Sequence, residues 1–296
     1  MDLSAAIAMY LRHHQALGSA PKTLIWHRSS LTLFREHLGA AIGPIDLRAD
    51  DLRSFIVDQQ GKKMSQATVQ TRARSIKAFG RWLAEEEVVP KDPFARVRRP
   101  KADDKAQETL SPPEIALLLA SIDGDGLVER RDRAIITLLY STGLRAGELL
   151  ALQTDDIDFR QGIIIVRKGK GGRFRVVPIG RRAEKAINRY MYVREAAVRV
   201  MDEEGAYLFQ CLGGGKLGQE GLASMLRRRG QRVGLHVNPH KLRHSAAVQY
   251  LRNGGRVEAL KSILGHSTID LTLHYARIAA GDLVTAHVRY DPANAL

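Results

Sequence analysis

The sequence predicts a mainly α-helical protein with a small antiparallel β-sheet, divided into two domains. Three observations lead there. Apolar residues recur at helical spacing through most of the 296 residues. Only one stretch, 163–179, holds two β-branched runs side by side. Near residue 89 the helical pattern gives way to a proline-containing, basic segment before it resumes.

In order along the chain, Leu3, Ile7 and Leu11 form one apolar face, with Gly18 as a stop. The next helix runs from about Thr23 to Leu38, with Leu24, Leu31 and Phe34 on one side and Gly39 beyond. A third begins near Asp50 and buries Leu52, Phe55 and Ile56 before Gly61. Ser65 caps a fourth, whose Val69, Ile76, Phe79 and Leu83 face inward while Arg72, Arg74, Lys77 and Arg81 stay in water. From Val89 to Ser111 come Pro90, Asp92-Pro93 and the basic run Arg96 to Lys101, then few large apolar residues. The expected boundaries are 1–98 for a helical domain, 99–110 for a linker and 111–296 for a second domain.

The second domain opens on Ser111-Pro112-Pro113-Glu114, a capping box with prolines in the first helical turn. Helices are expected at about 112–121, 128–141 and 145–153. A hairpin follows, Ile163–Arg167 against Arg173–Ile179 across the glycine-rich 168–172, with a further strand near Ile157–Phe159. Helices then return at about 181–200, 218–233, 239–252, 256–264 and 268–276.

Composition narrows the function. Hydrophobic residues at 44% and charged residues at 26% exclude a wholly disordered chain. There is no apolar run long enough for a membrane span and no basic-then-apolar leader at the N-terminus, so a cytoplasmic protein is expected. Cys211 is the only cysteine, which rules out an intrachain disulfide and a multi-cysteine zinc site. The formal charge is +14, shared as +6 over residues 1–106 and +8 over 107–296, a distribution that suits two folded bodies on one polyanion.

The segment Asn238-Pro239-His240-Lys241-Leu242-Arg243-His244 carries chemistry. Asn238 caps a helix and Pro239 takes its first position, so His240 and Arg243 share a face. The free N–H groups there, with Arg243, make a phosphate site, and the same field disfavours a protonated His240. His240 and His244 also have the spacing of a zinc pair. A zinc hydrolase would carry Glu where Lys241 stands, however, and a cationic lysine opposes a metal. Lys216 follows three glycines but precedes Leu217, so a P-loop hydroxyl is missing.

Arg145 in Thr142-Gly143-Leu144-Arg145-Ala146-Gly147-Glu148, the pair His240 and Arg243, Leu264-Gly265-His266, and Tyr275 stand in an order and spacing that resemble the tyrosine recombinase (phage integrase) family, most of all its compact Xer-type members. The first hundred residues likewise resemble that family's helical core-binding domain. The resemblance implies a two-domain DNA clamp built of that core-binding domain and a tyrosine recombinase catalytic domain. It also implies a site-specific DNA recombinase that cuts and rejoins strands through a 3′-phosphotyrosyl intermediate. In this likeness Arg145 and Arg243 match the phosphate-clamping arginines, Tyr275 the nucleophile, His240 the proton acceptor and His266 the second active-site histidine. Lys170 matches the lysine that protonates the departing 5′ oxygen, with Lys168 as the alternative. Glu148 and Asp156 match supporting carboxylates. No cofactor and no metal are implied. The expected partners are double-stranded recombination sites, bound by a homo- or hetero-tetramer with or without an accessory protein, and no membrane. The segment from Arg277 to Leu296, with Leu283, Val284, Ala286 and Val288, would supply an apolar element to a neighbouring protomer. The rivals are a type IB topoisomerase-like nicking and closing enzyme and a non-catalytic DNA-binding regulator.

Overall fold

The computed structural model describes residues 1–39, 42–100, 108–167, 174–197, 207–211, 214–266, 268, 269, 272, 273, 275 and 276. The chain divides into two compact units, Met1–Lys105 and Ala106–Leu296.

The first unit holds α1 (Leu3–Ala16), α2 (Pro21–Leu38), α3 (Ala49–Gly61) and α4 (Gln66–Glu85). Asp2 caps α1 by accepting from the Ala5 N–H at 2.6 Å, and Ser65 caps α4 through the Thr68 N–H. The anticipated apolar faces meet in one core, with Leu31, Phe34, Leu52, Ile76, Phe79 and Leu83 fully buried. Each such side chain contributes about 1.5–3 kcal/mol of transfer free energy.

Three details differ from the expectation. α2 begins at Pro21 rather than near Thr23, because proline at the first helical position lacks only an N–H that would have no helical partner. α3 runs through Gly61, and the left-handed residue that follows is Lys63. Lys77 is not simply solvated. Its ammonium donates to the carbonyls of Phe94 (2.7 Å), Ala95 (3.1 Å) and Val97 (2.5 Å), while half-buried Arg72 donates to the Gln59 amide oxygen. The reason lies beyond α4, where the chain folds back and buries Val89, Phe94 and Val97 in this same core. Of the expected linker, 101–107 lie outside the described residues. Leu110 is already buried in the second unit, with its N–H on the Ser245 hydroxyl at 2.7 Å.

The second unit is arranged around α6 (Leu127–Thr142), whose Ala134, Ile135, Ile136, Leu138 and Leu139 are fully buried. Against α6 pack α5 (Pro112–Ala120), α8 (Arg181–Ala197) and α10 (Pro239–Arg252). The capping box at Ser111 and Glu114 forms as the sequence suggests. Asp132 on α6 is buried and accepts from Arg131 and from both Nε and Nη2 of Arg229, which ties α6 to α9 (Gln219–Gln231).

Between α7 (Ala146–Ala151) and α8 lies a three-stranded antiparallel sheet in the order β1 (Ile157–Asp158), β2 (Ile163–Val166), β3 (Arg175–Pro178). Ile164 and Val166 point inward, and Val166 sits opposite Arg175. The glycine-rich tip, 168–173, lies outside the described residues. After α10 comes α11 (Val257–Leu264), and the described residues of 272–276 are helical. Among the described residues no helix is long and apolar enough to cross a membrane.

Candidate active site

Two glycines shape the local backbone. Gly143 ends α6 with φ +62° and Gly265 ends α11 with φ +63°, in the left-handed region where a Cβ is strained. A Cβ at Gly143 would also lie 2.6 Å from Leu264 Cδ2, so the two helix ends could not approach. This closeness lets Arg243 of α10 bridge them. Its Nη1 donates to the Gly143 carbonyl (2.5 Å) and its Nη2 to the Leu264 carbonyl (2.9 Å).

Arg145 stands just before α7, whose third position is Glu148. The Arg145 N–H donates to Glu148 Oε2 at 2.8 Å, its Nη1 to Oε1 at 2.9 Å, and its Nη2 to the Gly265 carbonyl at 3.2 Å. Arg175 of β3 grips the same carboxylate with two parallel bonds, Nη1 to Oε1 (2.7 Å) and Nη2 to Oε2 (2.8 Å), while its Nε donates to the Ile263 carbonyl (3.0 Å). Three successive carbonyls at the end of α11, those of Ile263, Leu264 and Gly265, therefore receive Arg175, Arg243 and Arg145. A helix C-terminus presents unpaired carbonyls and partial negative charge, which is why three guanidinium groups can collect there. Burial alone would push the Glu148 carboxyl up. The bonds from Arg175 and Arg145 outweigh that and hold it at about 2.

Immediately after Gly265, His266 is pinned from both sides. Arg243 Nη2 lies 3.0 Å from its Nε2, and an arginine can only donate, so Nε2 accepts. The proton of the neutral ring is then on Nδ1, which donates to the Thr272 hydroxyl at 2.9 Å. Burial, followed by the field of Arg243, Arg145 and Arg175, depresses the His266 pKa to about 4. Arg243 itself is brought down to about 10, by burial first and then by Arg145, and stays protonated at neutral pH.

Tyr275 is 4% exposed and packs with Ala247, Val248, Leu260 and Leu264 in a small core of its own. Burial raises its phenol above the usual value; the charge of Arg243, and after it that of Arg145, acts the other way. Its ring lies 6.0 Å from that of His266 and 5.2 Å from that of His244, and His244 lies 4.0 Å from His240. Asn238 caps α10 by accepting from the Lys241 N–H, and His240 sits in the first turn with a lowered pKa, through burial first and Arg243 second. The direction agrees with the expectation from the sequence, although burial, not the helix end, heads the causes.

Five of the six expected residues, Arg145, His240, Arg243, His266 and Tyr275, thus meet around the ends of α6, α10 and α11. Lys170 and its alternative Lys168 lie outside the described residues, as does the 277–296 segment. Arg175, Thr272 and the contact of His244 with Tyr275 are not anticipated by the sequence. Arg175 shares the face of buried Val177 on β3, whereas in the sequence its apolar neighbours Phe174 and Val176 would by themselves turn it outward. Asp156, expected as a support, is buried and accepts from Arg167 and from the Gln153 N–H. Among the described residues no group of three or more His, Cys, Asp or Glu could hold a metal ion.

The arrangement can bind an anion among two buried or half-buried guanidinium groups and set a phenol beside it. The model of the Phage integrase family matches residues 108–281. Tyrosine recombinase XerD of Ralstonia nicotianae is 31% identical over 279 residues, covering 93% of this chain and 90% of its own. Tyrosine recombinase XerC of Chromobacterium violaceum is 32% identical over 278 residues, 93% and 91% of the two chains. Among solved structures, the Tn1549 transposon integrase in complex with circular intermediate DNA superimposes with a TM-score of 0.78 at 23% identity, over 93% of this chain and 95% of that one. A lambda integrase dimer bound to a core site gives 0.76 at 18% identity, over 93% and 95%.

Proposed function

The chain belongs to the phage integrase family and is a tyrosine recombinase, a site-specific DNA recombinase acting by transesterification; from that premise we propose that Tyr275 is its nucleophile and Arg145 and Arg243 its phosphate clamp. The Tyr275 oxygen attacks the scissile phosphorus, forming a 3′-phosphotyrosyl bond as the bond to the 5′ oxygen breaks. The ester energy is kept, so the strand can be resealed by a 5′ hydroxyl attacking in reverse. The phenol proton passes to His240, whose lowered pKa leaves it neutral and able to accept. The two guanidinium groups oppose the charge that grows on the phosphate oxygens, and a preorganised, partly dry site strengthens that opposition. His266 aligns the phosphate beside Arg243, and Lys170 protonates the leaving 5′ oxygen.

The observation that carries this reading is the convergence on Arg243: its guanidinium contacts His266, its charge acts on the Tyr275 phenol, and Arg145 joins the same α11 end. We further propose that residues 1–98 and 111–296 are the core-binding and catalytic domains, that both contact the duplex, and that four protomers, identical or of two kinds, act on two sites in the cytoplasm.

The test is covalent capture on a library of nicked duplexes with randomised core sequence, resolved under denaturing conditions and mapped by mass spectrometry. The wild-type chain should form an adduct at Tyr275, and Tyr275→Phe should form none while still shifting DNA. An adduct on another residue, an adduct that survives in Tyr275→Phe, or none from the wild type would defeat the assignment.

A further inference from the structure

We propose that Arg175, which lies outside the phosphate clamp, is a positioning residue that keeps Arg145 available to the phosphate by neutralising Glu148. This rests on the reading of Arg145 as a clamp residue. Arg145 is bound to Glu148 twice, through its backbone N–H and through Nη1. An arginine so close to a buried carboxylate, taken alone, is a neutral pair with little field left for a third group. The Arg175 fork changes the sum: one carboxylate now faces two guanidinium groups, and the trio carries a net positive charge. Arg175 is poorly placed to meet the phosphate itself, because each of its three nitrogens already spends an N–H inside the protein and little of the group reaches solvent. Nη1 and Nη2 go to Glu148 and Nε to the Ile263 carbonyl, and the side chain is 12% exposed. Arg145 is 30% exposed on its side chain and is the member of the trio turned toward solvent.

The geometry explains why the residue is arginine. Its planar fork holds both carboxylate oxygens and a helix-end carbonyl at once, while the charge that offsets Glu148 is one that a lysine also carries. Gly265 is part of the same device: a Cβ there would stand 3.1 Å from Arg175 Cδ, Nε and Nη1. The consequence is specific to the chemical step. DNA affinity is spread over the basic surface, whereas the clamp acts on the charge of the transition state.

The measurement is the rate of covalent capture at saturating DNA, using the duplex that the wild-type chain selects from the nicked library. Adduct formation by the wild type and its loss in Tyr275→Phe check the underlying reading separately. Arg175→Met should slow capture by about 10²-fold, as expected for a misplaced active-site cation, with DNA affinity kept. Adding Glu148→Gln removes the uncompensated carboxylate, and the double variant should regain about tenfold or more of the lost rate. A merely structural Arg175 gives the opposite, a double variant no faster than Arg175→Met, and that result would overturn the proposal, as would wild-type speed in Arg175→Met. Should Arg175→Met melt below the assay temperature, Arg175→Lys decides the matter. It keeps the charge and should capture DNA within about tenfold of the wild-type rate; a loss of about 10²-fold in that variant overturns the proposal.

Discussion

His266 shows how one side chain is set by its neighbours. Arg243 needs an acceptor, so Nε2 carries no proton; Thr272 offers an oxygen, so Nδ1 does. Burial disfavours the protonated ring, which would also put a cation among three arginines, and the pKa falls to about 4. In the unfolded chain the value is about 6.5. Between these values the unfolded state binds more protons, so this part of the stability is fully present above about 6.5 and is lost as the pH falls toward about 4. The thermal midpoint of the wild type should therefore drop further between about pH 7 and pH 5 than that of His266→Gln, which has nothing to titrate there. Equal drops in a melting series would contradict the lowered pKa of His266. The sequence makes His266 a candidate but cannot give its protonation, which depends on a guanidinium 23 positions earlier.

At the scale of elements, the end of α11 is the joint of the site. Leu264-Gly265-His266 reads in the sequence as a helix stop, and it is one. The sequence does not say that the three final carbonyls serve three arginines from β3, α10 and the start of α7. Gly265→Ala tests the joint, since it forces a side chain into φ +63° and crowds Arg175. The left-handed conformation costs about 1–2 kcal/mol for a residue with a Cβ. Calorimetry should show a midpoint lower by a few degrees, and covalent capture should fall by more than that loss accounts for. An unchanged capture rate would mean that the α11 end is only a structural stop. Caps and apolar stripes are legible because they depend on residues within one turn. Lys77, by contrast, reads as an ordinary solvated charge, because the carbonyls it serves lie 17 to 20 residues away.

Over the whole molecule, the +14 charge governs the attraction to a polyanion partner. Counterion release makes such binding steeply salt-dependent: a protein that neutralises six phosphates loses about 10³-fold in affinity between about 50 and 200 mM salt. Binding to random-sequence duplex should weaken on that scale in fluorescence anisotropy titrations, while the capture rate at saturating DNA should change far less. A flat salt response would remove the electrostatic account of affinity. The two units also differ in how much of each is legible in the sequence. The helical faces of the first core follow from period, while Val89, Phe94 and Val97 join it only because the chain folds back. The second is legible as elements but not as an arrangement, since α6 has to be surrounded before its charged Asp132 can be buried against Arg131 and Arg229.

By itself the sequence determined the fold class, the order and type of nearly every element, and a set of chemically able residues whose spacing marks a family. Period, caps and charge are local or additive quantities, and they can be summed along a chain without knowing where it turns. Tertiary structure alone decided which charges cancel and which remain. Glu148 belongs to Arg145 in the sequence, three residues away, and to Arg175 only in space. The field at the site is set by distances between chain-remote groups, and spacing along the chain does not fix those distances.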